Sequence, residues 1–115
     1  PISDVAMSSD EYFKRMRQII TASKTQARWE FPWFVAKVSY LNPGYPSFET
    51  TRSAHQRLWD EGVAQEGPDT DQLTKDNRDI DGKGIHFSPK GLKAHGQMWA
   101  EKVSVYLDKV LAAQQ

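Results

Sequence analysis

One stretch of this chain, Trp33-Phe34-Val35-Ala36-Lys37-Val38-Ser39-Tyr40, is apolar, aromatic and β-branched enough to be a buried strand, and the chain has little to set beside it. Pro32 precedes the run and Asn42-Pro43-Gly44 follows it, which fixes its ends. The other strand signal is short, Gly62-Val63-Ala64-Gln65, and Gly67-Pro68-Asp69 is expected to end it. Two strands do not make a parallel sheet that is covered on both faces. The sequence therefore predicts an exposed sheet edge, closed either by dimerisation or by further sheet from upstream.

Three helices are expected around these strands. Ser8-Ser9-Asp10-Glu11 has the form of a capping box, in which Ser8 accepts from the Glu11 N–H and the Glu11 carboxylate reaches back to Ser8. Tyr12, Phe13, Met16, Ile19 and Ile20 then recur at helical spacing, and the helix should end between Ser23 and Gln26. After the Pro- and Gly-containing loop Asn42 to Ser47, Thr50 or Thr51 is expected to cap a second helix through Asp60, with Ala54, Leu58 and Trp59 inward. Ser88 followed by Pro89 starts the last helix, whose buried face is expected to carry Leu92, His95, Met98, Trp99, Val103, Tyr106, Leu107, Val110 and Leu111. Between them, Gly67 to Gly84 is polar and acidic and reads as a long surface loop. Helices alternating with strands give an α/β class with parallel strands.

Composition narrows the partners. Fifteen Lys and Arg balance fifteen Asp and Glu in 115 residues, so no electrostatic footprint calls for nucleic acid or an anionic membrane surface. No apolar run approaches the ~20 residues of a membrane span, so the expectation is a soluble protein. The absence of Cys removes thiolate chemistry and Cys-bound zinc but leaves the compartment open. The opening Pro1-Ile2-Ser3-Asp4-Val5 has neither an initiator Met nor the regions of a signal peptide, and reads as a processed or truncated start.

Chemistry is most concentrated in Asp79-Ile80-Asp81-Gly82-Lys83-Gly84-Ile85-His86-Phe87-Ser88. A histidine acting as a general base needs an acceptor on its second nitrogen, and Asp81 or Asp79 can provide one because Gly82 and Gly84 permit a tight turn back onto the ring. The plainer alternative is that His86 packs beside Phe87 at a helix entrance while the aspartates are solvated. His55 and His95 fall at helical positions better explained by packing. Asp69, Asp71 and Asp76 lack the glycine and terminal Glu of a calcium loop, and read as solvated loop charge. Trp29, Phe31, Trp33, Tyr40 and Tyr45 could stack on a sugar, although core and loop-anchor roles suit them better.

The run Gly84-Ile85-His86-Phe87-Ser88-Pro89-Lys90-Gly91-Leu92-Lys93-Ala94-His95-Gly96, continuing through Trp99-Ala100-Glu101-Lys102-Val103, resembles the C-terminal His block of SGNH (GDSL-type) hydrolases, in the sialate O-acetylesterase-like branch of carbohydrate esterases. Ile2-Ser3-Asp4 is similar to the tail of that family's Gln-Gly-Glu-Ser-Asp block. Pro32-Trp33-Phe34-Val35-Ala36 and Gly67-Pro68-Asp69-Thr70-Asp71 are similar to a later strand and the loop after the next strand. The resemblance implies the C-terminal half of a three-layer, flavodoxin-like parallel-sheet fold, incomplete on its own, with residues 1–115 forming a single domain or part of one. It also implies hydrolysis of acetyl esters on a carbohydrate by a Ser-His-Asp mechanism without metal or organic cofactor; the compartment stays unknown, a secreted or periplasmic parent being one option.

In that family His86 would be the base. The usual spacing is Asp-x-x-His, but Lys83 stands three residues before His86, so the acid falls to Asp81, with Asp79 as second choice. No serine here has a Gly-Asp-Ser or Gly-x-Ser-x-Gly setting, and the resemblance places the nucleophile upstream, in a complementary N-terminal fragment. The rival expectation is a non-catalytic α/β domain whose sheet edge pairs with another chain, as a homodimer or with such a fragment.

Overall fold

The computed structural model describes residues 6–115. Helix α1 (Ser9–Ala27) begins as the sequence predicts, with Ser8 Oγ accepting the Glu11 N–H at 3.1 Å. The reciprocal half of the box is absent, because the Glu11 carboxylate instead accepts from Arg15 Nε at 2.7 Å, a charge-assisted pair one turn on. Phe13 and Ile20 are buried, whereas Ile19 is 53% exposed and lies off the inward stripe. Arg28, with φ of 62°, closes the helix with a left-handed residue.

Strand β1 (Phe34–Lys37) is shorter than the apolar run that announces it, because the chain turns away where Ser39 and Tyr40 give their N–H groups to the Asp71 side chain. Helix α2 (Glu49–Asp60) has its N-cap two or three residues before the expected Thr50 or Thr51. Phe48 holds the N-cap position without a side-chain bond, and Thr51 is buried inside the helix. Ala54 and Leu58 are fully buried as expected; Trp59 is half-buried and donates its Nε1–H to the Val35 carbonyl at 2.7 Å.

Strand β2 (Gln65–Asp69) pairs parallel to β1 and contains the Gly-Pro-Asp that the sequence reading took for its end. Between the pairs Val35 to Glu66 and Lys37 to Asp69 the register slips, leaving an extra residue on β2. A bulge of this kind accommodates Pro68, which has no N–H to give a ladder. Gly67 is needed there, since a Cβ would lie 2.8 Å from the Val35 carbonyl oxygen.

The result is an α/β arrangement in three layers around a two-stranded parallel sheet. On one face Val35 joins Phe13, Ile20, Ala54, Leu58 and Ala64 of α1, α2 and the turn before β2 in the core. Full burial of side chains such as Phe13 and Leu58 is worth roughly 2 to 3 kcal/mol each. On the other face Phe34 meets Tyr106 edge-on at 5.2 Å, so the last helix covers that side.

Residues 70–88 are not a solvated loop. Single 3-10 turns at Thr70–Gln72 and Lys75–Asn77, then the four-residue turn α3 (Asp79–Gly82), fold back over the C-terminal end of β1. Thr70, Asp71, Leu73 and Arg78 are buried. Asp71, expected to be solvated, is tied to Ser39, Tyr40 and Arg52. Nothing local in the sequence announces this burial, because all the partners lie in distant segments.

Helix α4 (Pro89–Ala113) is capped by Ser88 Oγ, which accepts the Gly91 N–H at 3.1 Å, with Pro89 in the first turn as expected. Its predicted buried face is only partly covered. Trp99, Val103 and Tyr106 are half-buried, but Leu92, Leu107 and Leu111 are 58%, 49% and 57% exposed. The reason is geometric: a 25-residue helix is about 37 Å long, and two strands are too narrow to cover it.

Candidate functional site

An antiparallel bridge joins Arg78 to Phe87, flanked by Asp79 N–H donating to the His86 carbonyl and Ser88 N–H to the Asn77 carbonyl, both at 2.9 Å. This bridge sets Asp79 directly across from His86. Its Oδ2 lies 3.5 Å from His86 Nδ1, close enough for an ion pair with a protonated ring and longer than a strong hydrogen bond. The imidazole itself is 83% exposed.

The acid beside His86 is thus Asp79, the second choice of the sequence reading, and Asp81 makes no ion pair with the ring. The turn explains why. Ile80 (φ 49°) and Asp81 (φ 55°) both adopt the left-handed region, and Lys83 N–H and Gly84 N–H close back on the Ile80 and Asp79 carbonyls. That path carries Asp81 outward, where it is exposed. Gly84 does let a carboxylate fold back, as expected, but for Asp79: a Cβ at Gly84 would stand 1.7 Å from Asp79 Oδ1. That oxygen is buried with no hydrogen-bond partner.

Arg78, which the sequence reading did not single out, holds the turn in place. Its guanidinium donates to the carbonyls of Leu73 (2.6 Å), Ile85 (2.7 Å) and Thr70 (3.1 Å). Its flat face lies 3.9 Å from the centre of the Tyr40 ring and 4.4 Å from that of Phe87. Burial pulls its pKa down, against raising contributions from Tyr40, Asp71 and Asp79. Five donors in a rigid fork suit this stapling role, which Lys could not fill.

A second network braces the end of β1. Arg52 Nη2 meets Asp69 Oδ2 at 2.7 Å and Arg52 Nη1 meets Asp71 Oδ2 at 2.8 Å. Asp71 also accepts Ser39 N–H (2.7 Å), Ser39 Oγ–H (2.6 Å) and Tyr40 N–H (2.8 Å). Hydrogen bonding from Arg52 holds the Asp69 carboxyl below its usual range and the guanidinium above its own. Asp69 and Asp71 are thereby engaged by a guanidinium, and Asp76 by Lys90 at 2.5 Å. Among the described residues no three His, Asp or Glu side chains converge as metal ligands.

The pair His86 and Asp79 separates two recesses. On one side a cleft of about 900 Å³ is lined by Tyr40, Pro43, Pro46, Asp79, Ile80 and Asp81. On the other a groove of about 580 Å³ runs between β1 and α4, lined by Ala36, Val38, His86, Leu92, His95 and Trp99. Tyr40 borders both, and its buried hydroxyl has no partner.

The described serines do not complete a nucleophile. Ser88 Oγ, two residues from His86, caps α4 and donates to the Asp76 carbonyl at 2.6 Å. Ser39 Oγ is bound to Asp71, and Ser23 lies under Trp33. No hydrogen bond joins a serine to His86 among the described residues. Ser3 and Asp4 lie outside them. The other two histidines are packed: His55 is buried with its Nε2 3.0 Å from Tyr12 Oη, and His95 Nε2 accepts the Trp99 Nε1–H at 2.9 Å. Of the aromatics weighed as a sugar platform, Trp29 and Tyr45 are exposed, Trp33 is half-buried with its indole on Ser23, and Tyr40 is buried.

Compared with known protein families, curated proteins and solved structures, the chain matches none. Among the described residues no helix is long and apolar enough to cross a membrane.

Proposed function

We propose that this chain is the histidine-bearing part of an SGNH-type carbohydrate esterase that removes acetyl groups from a sugar. The observation that carries the reading is the carboxylate at His86 Nδ1, which leaves the exposed remainder of the ring, with Nε2, facing solvent. A base needs this arrangement: Asp79 orients the ring and stabilises the imidazolium, and Nε2 works. In the proposed reaction His86 takes the proton of a serine hydroxyl supplied by the complementary N-terminal segment as that oxygen attacks the ester carbonyl. It then returns the proton to the departing sugar hydroxyl, and water repeats the cycle to release acetate.

The alternation of Asp79 and His86 across a bridge supports the reading, as does the similarity of the Gly84 to Gly96 run to the family's His block. No metal or organic cofactor enters the scheme. Acetate release from a peracetylated sugar tests it. In the assembly that contains the serine, His86→Ala lowers the rate about 10³-fold or more, Asp79→Asn lowers it severely, and Asp81→Asn leaves it within about twofold. A rate that survives His86→Ala contradicts the proposal.

A further inference from the structure

The groove between β1 and α4 ends at His86, but its long wall is a sheet edge. Trp33 O accepts the Gln65 N–H, Val35 pairs with Glu66, and Lys37 O accepts the Thr70 hydroxyl just beyond β2, so the odd-numbered residues of this run direct their backbone groups toward β2. Strand alternation then aims the N–H and C=O groups of Phe34, Ala36 and Val38 at the opposite edge. The sheet has no third strand on that side among the described residues.

Nothing on this edge discourages pairing. It carries no Pro, no bulge on β1 and no charged side chain, since Lys37 belongs to the other face, where its Nζ reaches Gln56 Oε1 at 2.7 Å. The groove floor is apolar: Val38 and Leu92 are 38% and 58% exposed, beside half-buried Trp99. Of its ionisable groups other than His86, Arg78 is held by three carbonyls, His95 by the Trp99 indole, and the Tyr40 hydroxyl is buried. An occupant therefore meets backbone groups at one wall, apolar side chains below, and no exposed ionisable side chain along its length other than His86 at its end.

We propose that this edge takes up one extended, uncharged strand from another polypeptide, which pairs with β1 and sets alternate apolar side chains onto Leu92 and Trp99. A second copy of this chain fits less well. The surface is concave, and two grooves brought face to face would leave a void between them. The open edge, Phe34 to Val38, spans five residues, about 17 Å, which is short for the roughly 1,000 Å² or more that a stable dimer buries. A single strand needs no more than such an edge, because main-chain bonds give affinity and alternate side chains give fit. This pairing stands independently of the esterase chemistry, which it neither requires nor establishes.

The test is amide hydrogen exchange of the 115-residue chain, followed residue by residue with and without the synthetic peptide acetyl-Val-Thr-Val-Thr-Val-Thr-amide. The amides of Ala36 and Val38 exchange rapidly in the free chain and become at least ~10-fold slower with saturating peptide, while helix amides are unchanged. Ala36→Pro, which removes an edge donor, and Leu92→Asp, which charges an exposed position of the floor, each abolish this protection. Far-UV circular dichroism checks that both variants keep the fold. No protection at millimolar peptide overturns the proposal. So does a free chain in which both amides are already protected and sedimentation gives a dimer, since a second copy would then hold the edge.

Discussion

Asp79 Oδ2 faces His86 Nδ1 at 3.5 Å because Gly84, five residues after the aspartate, has no side chain to displace the carboxylate. Gly84→Ala would put a Cβ 1.7 Å from Asp79 Oδ1, so the carboxylate must leave its niche. The variant is expected to lose about 1 to 3 kcal/mol of stability by urea denaturation. The ring resonances of His86 should shift to match those of Asp79→Asn. Unchanged resonances in Gly84→Ala would show that the niche does not position the acid.

Asp71 joins three segments that are far apart in sequence, and it is buried with Ser39 and Tyr40 while Arg52 is half-buried. Asp71→Ala leaves the Ser39 and Tyr40 amides without an acceptor and removes one of the two carboxylates hydrogen-bonded to Arg52. A loss of about 3 to 5 kcal/mol is expected, and Asp69→Ala, whose carboxylate is more exposed, should cost less. Urea midpoints of the two variants check the order.

Acid should weaken the fold through Asp69. Arg52 depresses its folded-state pKa, so its contribution is complete above the unfolded value of about 3.9 and is lost as pH falls through the lower folded value. Stability is expected to decline as the pH drops below about 4, and Asp69→Asn should flatten that decline. Urea midpoints between pH 2 and 7 measure it, and equal slopes for both proteins would exclude the assignment.

The helices were legible in the sequence because their signals are local. Ser8 and Ser88 cap the helices that they announce, and the spacing of Phe13 and Ile20 gives the buried stripe of α1. The acidic segment was not, because polarity reads as solvent exposure unless the partners are known. Arg52 and Ser39, which bury Asp71, lie 19 and 32 residues away. The choice between Asp79 and Asp81 depended on two non-glycine residues adopting the left-handed region, which no local rule anticipates for isoleucine. Proximity to His86 in sequence favoured Asp81, and the bridge favours Asp79.

Ile80 is a β-branched residue at φ 49° and is 72% exposed, so little packing compensates its strain. Left-handed backbone costs an L-residue about 1 to 2 kcal/mol, less for Asn. Ile80→Asn is therefore expected to stabilise the chain by about 0.5 to 1 kcal/mol, read as a higher thermal midpoint. A lower midpoint would indicate that Ile80 has contacts which hold the turn.

The central claim is that His86 serves a serine supplied by a complementary segment and not by these 115 residues. Labelling of the natively folded protein with a fluorophosphonate probe, read by intact mass, tests it most directly. The account predicts no adduct on this polypeptide, and an adduct on a co-purifying serine-bearing polypeptide when one is present. An adduct on the 115-residue chain that disappears in His86→Ala would contradict it, because one of the chain's own serines would then be the activated nucleophile.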